Sequence, residues 1–199
     1  MATVREAAYR WSTWRWRGVS KVGLVLSALL LVGALDGYGQ AAAPPEYQVK
    51  AVFLFNFTQF VAWPPSAFPD GQAPLVLGVL GDDPFGGFLD EAVRGEVVNS
   101  HPMVVERYRQ VEDIEACHIL FISASEAGRL ERIFALLKGR NILTVGDSAR
   151  FARQGGMVQF VTERNKIRLH INVEAAEAAA LMISSKLLRL AEIVTPETD

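Results

Sequence analysis

Residues 75–87 read LVLGVLGDDPFGG, six apolar residues from Leu75 to Leu80 followed by Gly81, Asp82, Asp83 and Pro84. An unbroken apolar run of that length, bounded by turn residues, is the pattern of a strand covered on both faces. The turn then opens a helix. Asp83 is a natural N-cap, and Pro84 suits the first helical position, where it has no N–H to lose. This predicts a short helix over Phe85–Val93, closed by Gly95. The unit recurs downstream, where His118–Ile122 reads as a buried strand and Ser123-Ala124-Ser125-Glu126 has the spacing of a capping box. That box opens a helix to about Leu137, stopped by Gly139.

Working outward, Val97–Tyr108 holds one or two strands interrupted near Asn99-Ser100, and Ile142–Val145 is a strand ending at Gly146-Asp147-Ser148. Met157–Thr162 and Ile167–Asn172 flank Glu163–Lys166 as a hairpin, and Val173–Val194 has the period of a long amphipathic helix. Strands alternating with helices of this length predict an α/β fold. Its expected form is a mostly parallel sheet with helices on both faces, a Rossmann-like three-layer arrangement ending in the hairpin and the long helix. Upstream, Tyr47–Val61 reads as a helix that is apolar nearly all round, ended by Trp63-Pro64-Pro65. Such a helix is either sandwiched in a core or covered by a partner. The segment Trp63–Pro74, rich in proline, reads as a surface loop.

The first 21 residues carry Arg5, Arg10, Arg15, Arg17 and Lys21 against one acid, Glu6, and Val22–Leu35 is apolar and uncharged. This is the layout of a cleaved secretory signal, and the apolar run is shorter than the about 20 residues of a membrane span. The small residues around Gly39-Gln40-Ala41 place the cut after Ala41. A cut after Ala43 would set Pro44 behind the scissile bond. The competing reading is an uncleaved anchor held by the basic first segment. The expected organisation is a signal peptide over 1–41, a linker over 42–45, one domain over 46–194 and a flexible tail over 195–199. Removing residues 1–41 leaves 15 Lys+Arg against 20 Asp+Glu, a net charge of −5. An acidic domain without a basic block argues against nucleic acid as a partner. With one cysteine in the chain, Cys117, no internal disulfide can form, and its apolar neighbours predict burial.

Three strand ends carry similar chemistry, which makes Asp82, Asp83, Ser123, Ser125, Asp147 and Ser148 the candidate lining of a small-molecule crevice. Each is equally a helix cap or turn residue. No catalytic constellation assembles: His101, His118 and His170 lack metal-ligand spacing, and no nucleophile elbow or Gly-rich phosphate loop is present. The reading therefore assigns no catalytic residue, no metal and no cofactor. Candidate partner-binding residues are Phe53, Phe57, Phe60, Trp63 and Phe68, with Arg164 and Lys166 at the hairpin tip.

Residues 46–64, EYQVKAVFLFNFTQFVAWP, and the stretch from Gly155-Gly156-Met157-Val158 through Ile171-Asn172 to Ile183-Ser184-Ser185-Lys186-Leu187-Leu188 together resemble the YfiR-like family of bacterial periplasmic proteins. GVLGDDPFGG over 78–87 fits the same pattern, so the resemblance spans about Glu46 to Val194. It implies a non-enzymatic periplasmic regulator. The best-known relatives bind the periplasmic region of an inner-membrane diguanylate cyclase and hold it inactive, which lowers cyclic di-GMP and biofilm formation. Similar domains serve membrane sensor kinases, release can come through an outer-membrane-associated lipoprotein, and a homodimer is a further assembly to consider. The relatives' disulfide-based redox control does not carry over to a chain with Cys117 alone. The alternative is a periplasmic small-molecule-binding sensory domain using the strand-end crevice. The export reading predicts that intact-mass measurement of the periplasmic fraction will give a chain starting at Ala42. A full-length species retained in membranes would overturn it.

Overall fold

The computed structural model describes residues 45–196. The expected signal peptide, its cleavage point, most of the linker and residues 197–199 of the tail lie outside them. The chain opens with helix α1 (Pro45–Phe57), then a turn and the two-residue strand β1 (Val61–Ala62). Next come β2 (Leu75–Leu80), α2 (Gly87–Val93), β3 (Val97–Val98), β4 (His101–Tyr108), β5 (Ile119–Ile122), α3 (Leu130–Leu137) and β6 (Leu143–Gly146). The C-terminal part holds β7 (Val158–Glu163), β8 (Lys166–Ile171), α4 (Val173–Ala178), β9 (Met182–Ile183), α5 (Ser185–Leu188) and β10 (Ala191–Ile193).

The main sheet has the order β10-β8-β7-β6-β5-β2-β4-β3. Strands β4, β2, β5, β6 and β7 run parallel, β8 is antiparallel to β7 but parallel to β10, and β3 is antiparallel to β4. The sheet is therefore mixed and mostly parallel, as the alternation of elements predicts. Among the parallel strands the first in sequence, β2, lies between the second and third. That is the 2-1-3-4-5 order of a flavodoxin-like sheet, in place of a dinucleotide-binding Rossmann order.

Alternation along the strands sends side chains into two cores. Leu75, Leu77 and Val79 of β2, Ile119 and Phe121 of β5, and Leu143 and Val145 of β6 pack toward α1 and α2. Leu80, Leu120 and Ile122 join Leu130, Ile133 and Leu137 of α3 on the opposite face. Both faces are covered, which is why the whole of β2 is buried. Close approach matters at Gly78, where a Cβ would meet Tyr108 Cε2 at 2.7 Å and Cys117 Sγ at 2.9 Å. Cys117 is buried there, and burial pushes its thiol pKa up to about 12.

Three sequence expectations are corrected. The largest concerns Val173–Val194, which breaks into α4, β9, α5 and β10 and forms no long helix. The chain leaves α4 through Ala180 at φ 57°, and Leu181 N–H bonds back to Ala176 C=O at 3.0 Å, a Schellman-type stop built without glycine. Beyond it, β9 pairs with β1 and β10 pairs with β8, so tertiary hydrogen bonds replace the helical ones. Ser184 caps α5, its Oγ accepting from Leu187 N–H at 3.5 Å, where the sequence suggests a residue inside a helix. Helix α1 ends at Phe57, four residues before Val61, because Val61–Ala62 is drawn into that β1–β9 pair. The helix after Ser123 begins as a 3₁₀ stretch, Ala124–Arg129, and becomes α-helical only at Leu130.

Phe151 is fully buried against two glycines: a Cβ on Gly156 would lie 2.2 Å from its Cε1, and one on Gly146 2.6 Å from its ring. Overpacking a core in this way costs about 1–3 kcal/mol. Gly156→Ala is accordingly expected to lower the thermal unfolding midpoint by several degrees. An unchanged midpoint would show that the ring has room to move.

Candidate functional site

The carboxyl ends of β2, β5 and β6 are where a doubly wound sheet offers a ligand crevice. Here the chain's own side chains occupy that edge. Gly81 has φ 88° and a Cβ placed on it would come within 2.4 Å of Ser125 Oγ. Ser125 Oγ accepts from Asp82 N–H at 3.0 Å, and Ser123 Oγ accepts from Ser125 N–H at 3.4 Å, which ties the β2 and β5 ends together. The buried Glu126 pairs with Arg129 at 2.6 Å beside them. Asp83 turns away to another cluster. Its Oδ1 accepts from Phe85 N–H at 2.7 Å and its Oδ2 from Arg107 Nε at 2.7 Å. Arg107 also forks onto both oxygens of Asp90, at 2.6 and 3.0 Å. These hydrogen bonds, the one to Asp90 foremost, raise the guanidinium pKa and lower that of Asp90.

Asp147 makes the third cluster, and it reaches across to α1. Its Oδ2 accepts from Lys50 Nζ at 2.7 Å and from Tyr47 Oη at 3.0 Å. The Lys50 side chain is 3 % exposed and that of Asp147 is 7 %, so the pair is dry. Lys50 also holds Glu46 one helical turn away at 2.6 Å, and Glu46 accepts from Thr162 Oγ1 of β7 at 2.8 Å. Those two bonds, Lys50 first, hold the Glu46 carboxyl below its ordinary value. Burial, with the Asp147 charge adding to it, pushes Tyr47 up to about 12. Asp147 Oδ1 and Ser148 Oγ are buried with no hydrogen-bond partner among the described residues. Five of the six strand-end candidates thus fall into three separate clusters, and the Ser148 hydroxyl joins none of them. The geometry links Asp82 with Ser123 and Ser125, gives Asp83 to Arg107, and gives Asp147 to α1.

The aromatic candidates also divide. Phe57 is 1 % exposed and stacks on Phe160, with centroids 6.0 Å apart, while Phe53 and Phe60 are half-buried. Phe53, Phe60, Ile167 and Leu190 surround a cavity of about 230 Å³ floored by Phe57 and Leu169. Trp63 and Phe68 are half-buried and fold onto His118. Arg164 and Lys166 are exposed at the β7–β8 tip, where Arg164 and Asn165 take φ of 47° and 61° as a two-residue hairpin turn requires. Sequence reasoning missed Lys50, whose signal was legible as a lone cation on the inner side of an apolar helix. It also missed the roles of His101 and His118, which no spacing pattern marks.

Among the described residues no group of three His, Cys, Asp or Glu side chains could hold a metal ion, and no helix is long and apolar enough to cross a membrane. The chain is a member of the YfiR/HmsC-like family, DUF4154, whose profile matches residues 47–192. That family is one of periplasmic regulators. No curated protein matches the chain.

Removing one member of a buried ion pair strands the other charge, at a typical cost of about 3–5 kcal/mol. Lys50→Met is therefore expected to destabilise by that order in denaturant unfolding, and adding Asp147→Leu to recover most of the loss. A Lys50→Met variant with wild-type stability would contradict a dry pair.

Proposed function

We propose that this chain is a non-enzymatic periplasmic signalling protein that binds the periplasmic region of an inner-membrane sensor, a diguanylate cyclase or a sensor kinase, and represses it. Family membership supports the class of role. The observation that carries the reading is the outer side of α1. Val49 and Val52 are 48 % and 46 % exposed, Phe53 and Phe60 are half-buried beside them, and Leu190 is 78 % exposed across the cavity. A second cavity, of about 370 Å³ and lined by Val49, Asn165 and Ile167, carries this surface to the hairpin tip with Arg164 and Lys166. Ile167 borders both cavities, so the patch is continuous. Contiguous exposed apolar surface with a polar rim is the mark of an interaction site, and aromatic anchors hold most of the energy of such contacts.

Export by a cleaved signal peptide puts the domain in the compartment where such a sensor is exposed. Repression in this reading is by occupancy, relieved when an outer-membrane-associated lipoprotein or a second copy of the chain competes for the surface. The alternative, a small-molecule sensory domain, is favoured by one observation: Asp147 Oδ1 and Ser148 Oγ are buried and unpaired at the β6 end.

Val52→Glu and Leu190→Glu are expected to weaken binding to the sensor's periplasmic region at least tenfold, about 1.4 kcal/mol, while the melting temperature stays within a few degrees. Wild-type affinity in both variants would move the contact away from α1. Trp63→Ala separates the two roles of the aromatic set, since its indole N–H donates to His118 C=O at 3.2 Å and its loss should lower stability as well.

A further inference from the structure

Two imidazoles clamp the Trp63–Pro74 loop to the sheet. Phe68 lies between them, its ring centroid 3.9 Å from that of His101 at an interplanar angle of 15° and 4.3 Å from that of His118 at 18°. His118 is 2 % exposed and uses both ring nitrogens. Nδ1 accepts from Val76 N–H at 3.0 Å, so the proton sits on Nε2, which donates to Ala67 C=O at 3.1 Å. His101 Nδ1 donates to Ala73 C=O at 2.6 Å. The two side chains thereby hold the loop at Ala67, Phe68 and Ala73, while Trp63 Nε1 donates to the His118 main-chain carbonyl at 3.2 Å.

Only neutral His118 fits this arrangement. An imidazolium is a donor at both nitrogens, so its Nδ1–H would face the Val76 N–H, donor against donor. His101 behaves differently, because its imidazolium keeps the Nδ1–H bond to Ala73. The charged and titratable groups near His118 offer no compensation. From β4 the group facing it is His101, itself a base. Within the loop, Asp70 is engaged by Gln72 N–H at 2.8 Å, and next to His118 on the chain the Cys117 sulfur lies over Gly78. The adjoining groove is lined by Thr58, Gln59, Asn99 and Ser184 among its polar residues, with no carboxylate.

We propose that this clamp is an acid-released latch: protonated His118 keeps its Nε2–H donor for Ala67 but sets an Nδ1–H against the Val76 N–H, and displacement of the ring from that buried seat gives up the Ala67 bond and the Phe68 stack, frees the Trp63–Pro74 loop, and widens the groove of about 550 Å³ that Trp63, Phe68 and His101 line with β1 and β9. Burial lowers the His118 pKa in the closed form, opposed by the hydrogen bond to Ala67 and assisted by the proximity of His101. A lowered imidazole contributes stability that is complete above its free value of about 6.5 and is lost as pH falls below it through the closed-state value. The direction is therefore closed at neutral pH and open in acid. The latch does not rest on the partner reading, since it is a property of the loop alone.

NMR on the exported chain labelled with ¹⁵N reads the device directly. At pH 7.5 His118 should show the Nε2–H tautomer. Between pH 7.5 and 5, exchange protection of the Val76 and Phe68 amides, normalised to intrinsic rates, should fall at least tenfold with the midpoint of His118 titration, while Phe121 in β5 is unchanged. His118→Gln can accept from Val76 and donate to Ala67 without titrating, and should abolish the acid-dependent loss; His101→Gln should retain it. Should His118→Gln fail to fold, the wild-type coincidence and the His101→Gln behaviour still decide. Loop protection that persists through His118 protonation, the other tautomer at pH 7.5, or the same acid loss in folded His118→Gln would overturn the proposal.

Discussion

Strand β2 is hydrogen-bonded on both sides, to β4 and β5, and buried along its whole length. A strand so placed needs an apolar layer on each face, and the rest of the architecture meets that constraint. Helices α1 and α2 supply one layer and α3 with Phe151 the other. Burying an apolar side chain of this size contributes roughly 1.5–3 kcal/mol, so three central strands with both faces covered dominate the stability of the fold. The same constraint explains Gly78, Gly146 and Gly156, which give up a side chain so that Tyr108, Cys117 and Phe151 can close over the sheet.

Helix α1 is fixed by a different force. Its inner side is apolar at Ala51, Leu54 and Phe57, contacts that resist separation but would allow the helix to slide. Lys50 removes that freedom by reaching Asp147 at the end of β6, while Glu46 reaches Thr162 on β7. Directional, charge-assisted bonds of this kind set register where dispersion cannot. Fixing α1 this way engages one oxygen of Asp147 and leaves Oδ1 unpartnered, with Val49 and Val52 facing outward. Anchoring and presentation are thus two consequences of one ion pair.

At the opposite edge, the Trp63–Pro74 loop is held by hydrogen bonds from histidines, groups whose donor and acceptor roles depend on protonation. Ion pairs hold α1, and imidazoles hold the loop. In the proposed latch the imidazole attachment yields to acid, which would let one surface change around a fixed core.

The strands were legible because a buried strand is written locally: LVLGVL at 75–80 and ILFI at 119–122 admit few other structures, and the turns after them carry their own signals. The hairpin at 158–171 and the covering of both sheet faces follow from the same local grammar. The residues at strand ends were legible as a set, though their partners were not, because Asp147 and Lys50 are 97 positions apart and nothing in either neighbourhood names the other. The C-terminal segment shows the limit most clearly. Its apolar spacing suits a helix, and an isolated chain of that sequence has only helical hydrogen bonds to make. In the folded domain the free edges of β1 and β8 offer Met182–Ile183 and Ala191–Ile193 better-placed partners, and the helix breaks to take them. Local sequence determined which segments are strands and which turns; the tertiary structure decided which charges meet, which histidines hold the loop and where the last helix stops, because those choices depend on groups brought together only when the sheet is complete.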